Sequence, residues 1–102
     1  MATILLADDD AAVRDLVRRA LSAEGHSVHV TSDGLEALDY INANGSSVDL
    51  LVTDVDMPQL DGITLAEKSL AAKPGLSVVL MSGFSDQLER AARLRARRLL
   101  SI

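Results

Sequence analysis

Short apolar runs alternate with amphipathic stretches along almost the whole chain. Thr3–Ala7 is a compact apolar run and reads as a buried strand. Asp10 follows it as a candidate helix cap. Val13, Leu16, Val17, Ala20 and Leu21 then recur at spacings of three and four, which marks one helix face. Gly25 ends that helix. Ser27–Thr31 alternates, with Val28 and Val30 on one side, as a strand near a sheet edge does. Asp33 caps a second helix, with Glu36 in the capping-box position and Leu35, Leu38 and Ile41 as its stripe. Asn44-Gly45-Ser46-Ser47 reads as a loop. Leu50–Thr53 is a third strand, and Met57–Gly62 is a loop containing Pro58. Ile63–Ala72 reads as a third helix, stopped at Lys73-Pro74-Gly75. Val78–Met81 is a fourth strand, and Asp86–Arg97 a helix on Leu88, Ala91 and Ala92. Leu99 and Leu100 open a fifth strand.

Strand–helix alternation with continuous apolar strands predicts an α/β fold, a parallel sheet covered by helices on both faces. Such sheets carry their chemistry outside the carboxyl ends of the strands. Polar residues stand at those ends here. Asp8, Asp9 and Asp10 directly follow the first strand, Asp54 and Asp56 the third, and Ser82 and Gly83 the fourth. If these strands are neighbours, the groups converge.

Composition narrows the picture. The chain has 102 residues, which suits one domain. Hydrophobic residues make up 48% but aromatics only 2%, so the core is aliphatic. Absence of cysteine removes disulfides and thiolate metal sites and suits a reducing compartment. No apolar run approaches the length of a membrane span, and no signal peptide opens the chain, so a cytoplasmic protein is expected. The net charge is −5, yet Arg90, Arg93, Arg95, Arg97 and Arg98 cluster. With no interleaved aromatics in an acidic domain, that cluster reads as a solvated helix face, and no direct nucleic-acid contact is expected.

Converging carboxylates raise one another's pKa values, and a hard cation relieves the repulsion. Oxygen ligands without His or Cys suit Mg²⁺. One carboxylate can then act as nucleophile toward a phosphoryl group, while the hydroxyl of Ser82 donates to a phosphoryl oxygen and Gly83 lets the backbone come close. Asp10 reads as a cap, and Asp61 with Gly62 as a turn and helix start, rather than as ligands. His26 and His29 are three apart around Val28 and face opposite ways, which argues against a shared metal site.

Three blocks together resemble the receiver domain of two-component response regulators. They are Ile4-Leu5-Leu6-Ala7-Asp8-Asp9-Asp10, Leu51-Val52-Thr53-Asp54-Val55-Asp56-Met57-Pro58-Gln59-Leu60-Asp61-Gly62 and Val79-Leu80-Met81-Ser82-Gly83-Phe84. The resemblance implies a doubly wound, flavodoxin- or CheY-like parallel sheet of order 2-1-3-4-5. It implies Asp54 as phosphoacceptor, Ser82 as switch hydroxyl and Gly83 as a backbone contact to the phosphoryl group. Mg²⁺ would be held by Asp9 directly, by Asp8 mainly through water, by Asp54 and by the backbone carbonyl of Asp56. The implied donor is a histidine kinase or a histidine phosphotransfer protein, and output passes to a downstream protein target by contact. The Ser-Gly-Phe triplet looks most like receivers of hybrid kinases and of single-domain regulators. The chain would be no enzyme beyond catalysing its own aspartyl phosphorylation and dephosphorylation.

The chain also departs from that family. The family's Lys-Pro dipeptide after the fifth strand is absent, with Ile102 near the lysine position and Leu99 near the aromatic switch position. Lys68 and Lys73 lie on the wrong segment. The expectation is therefore one receiver domain over 1–102, C-terminally incomplete, with a short last strand and no fifth helix. An uncovered sheet face invites a homodimer or a domain swap. Two rivals are weighed beside this reading. A phosphorylation-independent pseudo-receiver would act as a binding module only. Asp54-Val55-Asp56 and Val79-Leu80-Met81-Ser82 also resemble motifs of haloacid-dehalogenase-type phosphatases. That reading leaves Asp8, Asp9 and Pro58 unexplained.

Overall fold

In the computed structural model, the described residues are 2–81 and the short strand 99–101. The elements run β1 (Thr3–Ala7), α1 (Ala11–Ala23), β2 (Ser27–Thr31), α2 (Gly34–Asn44), β3 (Leu50–Asp54), α3 (Gly62–Ala72), β4 (Ser77–Met81) and β5 (Leu99–Ser101). All pairings are parallel, and the strand order is β2-β1-β3-β4-β5. The predicted doubly wound order 2-1-3-4-5 is the observed one, and the last strand is short, with three residues. The predicted fourth helix, Asp86–Arg97, lies outside the described residues, as do Ser82, Gly83, Phe84 and the arginine cluster. No helix among the described residues is long and apolar enough to cross a membrane.

The core follows from strand alternation. Leu5 and Ala7 of β1 point to one face with Leu51, Val78 and Leu80, under Ala37 and Ile41 of α2 and Ile63, Leu65 and Ala66 of α3. Ile4 and Leu6 point to the other face with Val52 and Val79, against Val17 and Leu21 of α1. Both faces of β1 are thus buried, which is why its sequence reads as a continuous apolar run. Among the described residues, no buried core residue is aromatic.

Helix ends obey local chemistry. The side chain of Asp10 accepts hydrogen bonds from the amides of Ala12 and Val13. Asp33 accepts from Glu36 N at 2.8 Å, and Asp61 from Thr64 N at 2.8 Å. After α1, Gly25 N donates to Ser22 O and His26 N to Leu21 O. With Gly25 at φ +91°, this is a Schellman ending. Loss of the Asp33 cap, in Asp33→Ala, should cost about 1 kcal/mol. Thermal melting should show a fall of about 4–8 °C.

Three sequence expectations need correction. Val13 and Leu16 stand 39% and 68% exposed, so only Val17 and Leu21 of the expected α1 stripe meet the sheet. On α2, Leu35 is exposed, and the buried positions are Gly34, Ala37 and Ile41. Gly34 turns inward because its backbone abuts Leu60, and one residue further on is about 100° around the helix. The loop at Asn44–Ser47 contains a turn of 3₁₀ helix, Gly45–Ser47. The two histidines have separate tasks. His26 Nδ1 accepts from Ala2 N at 2.9 Å, while His29 stacks on Tyr40 with ring centroids 4.1 Å apart.

Candidate functional site

The carboxyl ends of β1 and β3 are adjacent because Ala7 pairs with Thr53. Asp8 follows Ala7, and Asp54 follows Thr53, so their carboxylates emerge side by side. Side-chain oxygens of Asp8, Asp9 and Asp54 all lie within 4.8 Å of one another. Asp8 is buried, Asp54 half-buried and Asp9 exposed. Asp9 is thus the carboxylate of the three that faces solvent.

Backbone contacts hold these groups in place. Asp8 Oδ1 accepts from Asp10 N at 2.9 Å, and Asp54 Oδ1 accepts from Asp56 N at 3.3 Å. Thr53, fully buried, donates from Oγ1 to Asp54 O at 2.9 Å. Gly62 presses against the same carbonyl: a Cβ there would stand 2.0 Å from Asp54 O. Only glycine permits this approach.

Charge is the dominant property of the site. Burial pushes the Asp54 carboxyl up to about 6, and the carboxylates of Asp8, Asp9 and Asp56 push the same way against the Asp56 amide. Burial also raises Asp8, aided by Asp9 and Asp10, with Arg14 opposing. Arg14 Nη1 donates to Asp8 O at 2.8 Å. Sequence reasoning missed Arg14. A signal was available, since a cation in the first turn of a helix opposes the helix dipole and needs an anion nearby.

The donor set fits a hard divalent cation. It consists of carboxylate oxygens alone, in excess of the one or two that Mg²⁺ takes, with carboxyls whose ionisation is resisted by burial. Of the residues expected at the site, the fold brings together Asp8, Asp9, Asp54 and, through its amide, Asp56. Asp10 and Asp61 serve as caps, as expected. Ser82 and Gly83 lie outside the described residues.

The model of the response regulator receiver domain matches residues 4–101. The chain belongs to the receiver family. Two relatives illustrate its similarities. The response regulator MprA of Mycobacterium avium (strain 104) is 41% identical over 93 residues, 91% of this receiver and 40% of that protein. The sensor kinase CckA of Brucella abortus (strain 2308) is 39% identical over 85 residues, 83% of this receiver and 9% of that protein. The chain therefore spans less than half the length of either relative. Among solved structures, a receiver domain protein from Clostridium thermocellum superposes with TM-score 0.88 at 26% identity, covering 99% of this chain and 82% of that one. Receivers are signalling domains rather than enzymes of metabolism, which sets aside the haloacid-dehalogenase reading.

Proposed function

We propose that this receiver accepts a phosphoryl group on Asp54 in a phosphorelay. One observation carries the reading: in a chain of this family, three carboxylates from two neighbouring strand ends lie within 4.8 Å of one another, and the half-buried one belongs to Asp54. The donor is the phosphohistidine of a histidine kinase or a histidine phosphotransfer protein. An Asp54 carboxylate oxygen attacks phosphorus, the phosphorus–nitrogen bond breaks, and the imidazole leaves with the electron pair. At neutral pH Asp54 is a carboxylate, because even its raised pKa of about 6 lies below 7. Its nucleophilicity benefits from that raised value.

Asp8, Asp9, Asp54 and the Asp56 carbonyl are the proposed Mg²⁺ holders, and a bound Mg²⁺ offsets the negative charge gathered around the transferring group. The chain's own groups do the rest. Burial of Asp8 fixes one carboxylate beside Asp54, and the Asp56 amide orients the Asp54 carboxylate. Ser82 is the proposed switch hydroxyl and Gly83 the proposed backbone contact. Hydrolysis of the acyl phosphate by water returns Asp54. Output passes by protein contact to a downstream target in the cytoplasm.

The test is intact-mass measurement after incubation with Mg²⁺ and acetyl phosphate. Wild type should gain one phosphoryl group. Asp54→Asn, or omission of Mg²⁺, should remove the gain. A folded wild type that binds Mg²⁺ yet gains nothing would make the chain a pseudo-receiver.

A further inference from the structure

The loop between β3 and α3 carries Asp56, and it contains an unusual turn. Leu60 N donates to Pro58 O at 2.8 Å, closing a three-residue γ-turn. Its central residue, Gln59, sits at φ +70°. That conformation is rare and strained for a residue with a side chain. Gln59 is exposed, so its side chain is not buried in anything that would hold the turn. The restraint comes from its neighbour. Leu60 packs half-buried against the larger core cluster. Its backbone also lies hard against the first residue of α2. A Cβ on Gly34 would stand 2.1 Å from Leu60 O, 2.8 Å from Leu60 Cβ and 3.0 Å from Leu60 C.

The loop is thus pinned at two places by glycines that leave no spare room. Gly62 pins it to β3 at Asp54, and Gly34 pins it to α2 at Leu60. Between the pins lies the strained turn, and just before it the amide that orients Asp54. Moving the start of α2 must move Leu60, and Leu60 can move only by opening the turn or by shifting the segment that holds Asp56.

We propose that Gly34 is a positioning residue for phosphoryl acceptance: by seating Leu60, it holds the Gln59 turn and so sets the place of Asp56 beside Asp54. The inference rests on the reading of Asp54 as phosphoacceptor. Gly34 acts through Leu60 and never touches the phosphoryl group.

Three proteins test it: wild type, Gly34→Ala and Gln59→Pro, with the double variant as the test of coupling. Each is labelled with acetyl phosphate and Mg²⁺, and the amide resonances of Asp54 and Asp56 are followed by NMR. Gly34→Ala should label about ten- to a hundredfold more slowly, the penalty of misplaced groups, with the Asp56 amide displaced more than amides of β1. Gln59→Pro opens the turn from outside the core, since proline cannot adopt positive φ. It should slow labelling severalfold in a chain that still folds. In the double variant the two losses should not add, because both substitutions act through the same turn. A folded Gly34→Ala that labels at the wild-type rate, with Asp56 unmoved, overturns the proposal. Should Gly34→Ala fail to fold, Gln59→Pro decides alone, and an unchanged rate overturns it. A wild type that takes no phosphoryl group sinks the proposed function first and this inference with it, so the two failures are told apart.

Discussion

Gly62→Ala is expected to lower the melting temperature by about 15 °C or more, the equivalent of roughly 3 kcal/mol in a domain of this size. The added Cβ would stand 2.0 Å from Asp54 O, 2.8 Å from Asp54 C and 3.0 Å from Val55 Cα. All three atoms are backbone of β3 or its continuation, so no flexible side chain can move aside. Relief requires α3 to back away from the sheet, opening the packing of Ile63, Leu65 and Ala66. The amide of Gly62 would also lose Val55 O, which it now meets at 2.9 Å. A matched control is Gly75→Ala, where a Cβ meets nothing within 4 Å and φ is ordinary. That change should shift stability by about 0.5 kcal/mol or less, in the stabilising direction if at all. Melting curves of the two variants followed by circular dichroism check both. Equal melting temperatures would show that Gly62 does not touch Asp54 as described.

The second large effect has the opposite sign. Without divalent metal at about pH 7.5, Asp54→Asn should be more stable than wild type by about 1 kcal/mol, allowing for solvent screening at a half-exposed group. The melting temperature should rise by about 4–8 °C. The cause is the raised carboxyl of Asp54, at about 6 against 3.8 for the free side chain. Between those values the folded chain holds a proton that the unfolded chain has lost. Wild-type stability therefore falls as pH rises through this window, and the penalty is complete above about 6. The advantage of Asn should be full at about pH 7.5 and nearly gone at about pH 4. Millimolar Mg²⁺ should shrink it too, because ligand binding stabilises the wild-type fold by mass action. An advantage that is the same at both pH values would rule out ionic strain at Asp54 as its source.

Much of this molecule is legible from the chain alone, and the reason is that the informative features are local. Strand and helix periods follow from side-chain direction. Asp10, Asp33 and Asp61 cap the helices they precede because each reaches amides two or three residues on. Gly25 ends α1 because the Schellman ending needs a positive φ, a backbone dihedral that glycine adopts freely. Carboxylates placed after β1 and β3 meet because a doubly wound parallel sheet brings those two strand ends together.

Tertiary structure decided what depends on residues far apart in the chain. Periodicity marks apolar positions on a helix, but it does not say how much of that stripe the sheet covers. Hence Leu16 and Leu35 are exposed while Ala37 is buried. The contacts of Gly34 with Leu60 and of Gly62 with Asp54 are backbone approaches between separate segments, and a glycine in a sequence does not name its neighbour. Arg14 meets Asp8 only because α1 folds back over the end of β1. The titration of Asp54 likewise belongs to the fold. The sequence supplies the carboxylates, whereas the folded chain removes water from Asp54 and brings Asp8 and Asp9 beside it, and those two acts turn an ordinary aspartate into a strained one.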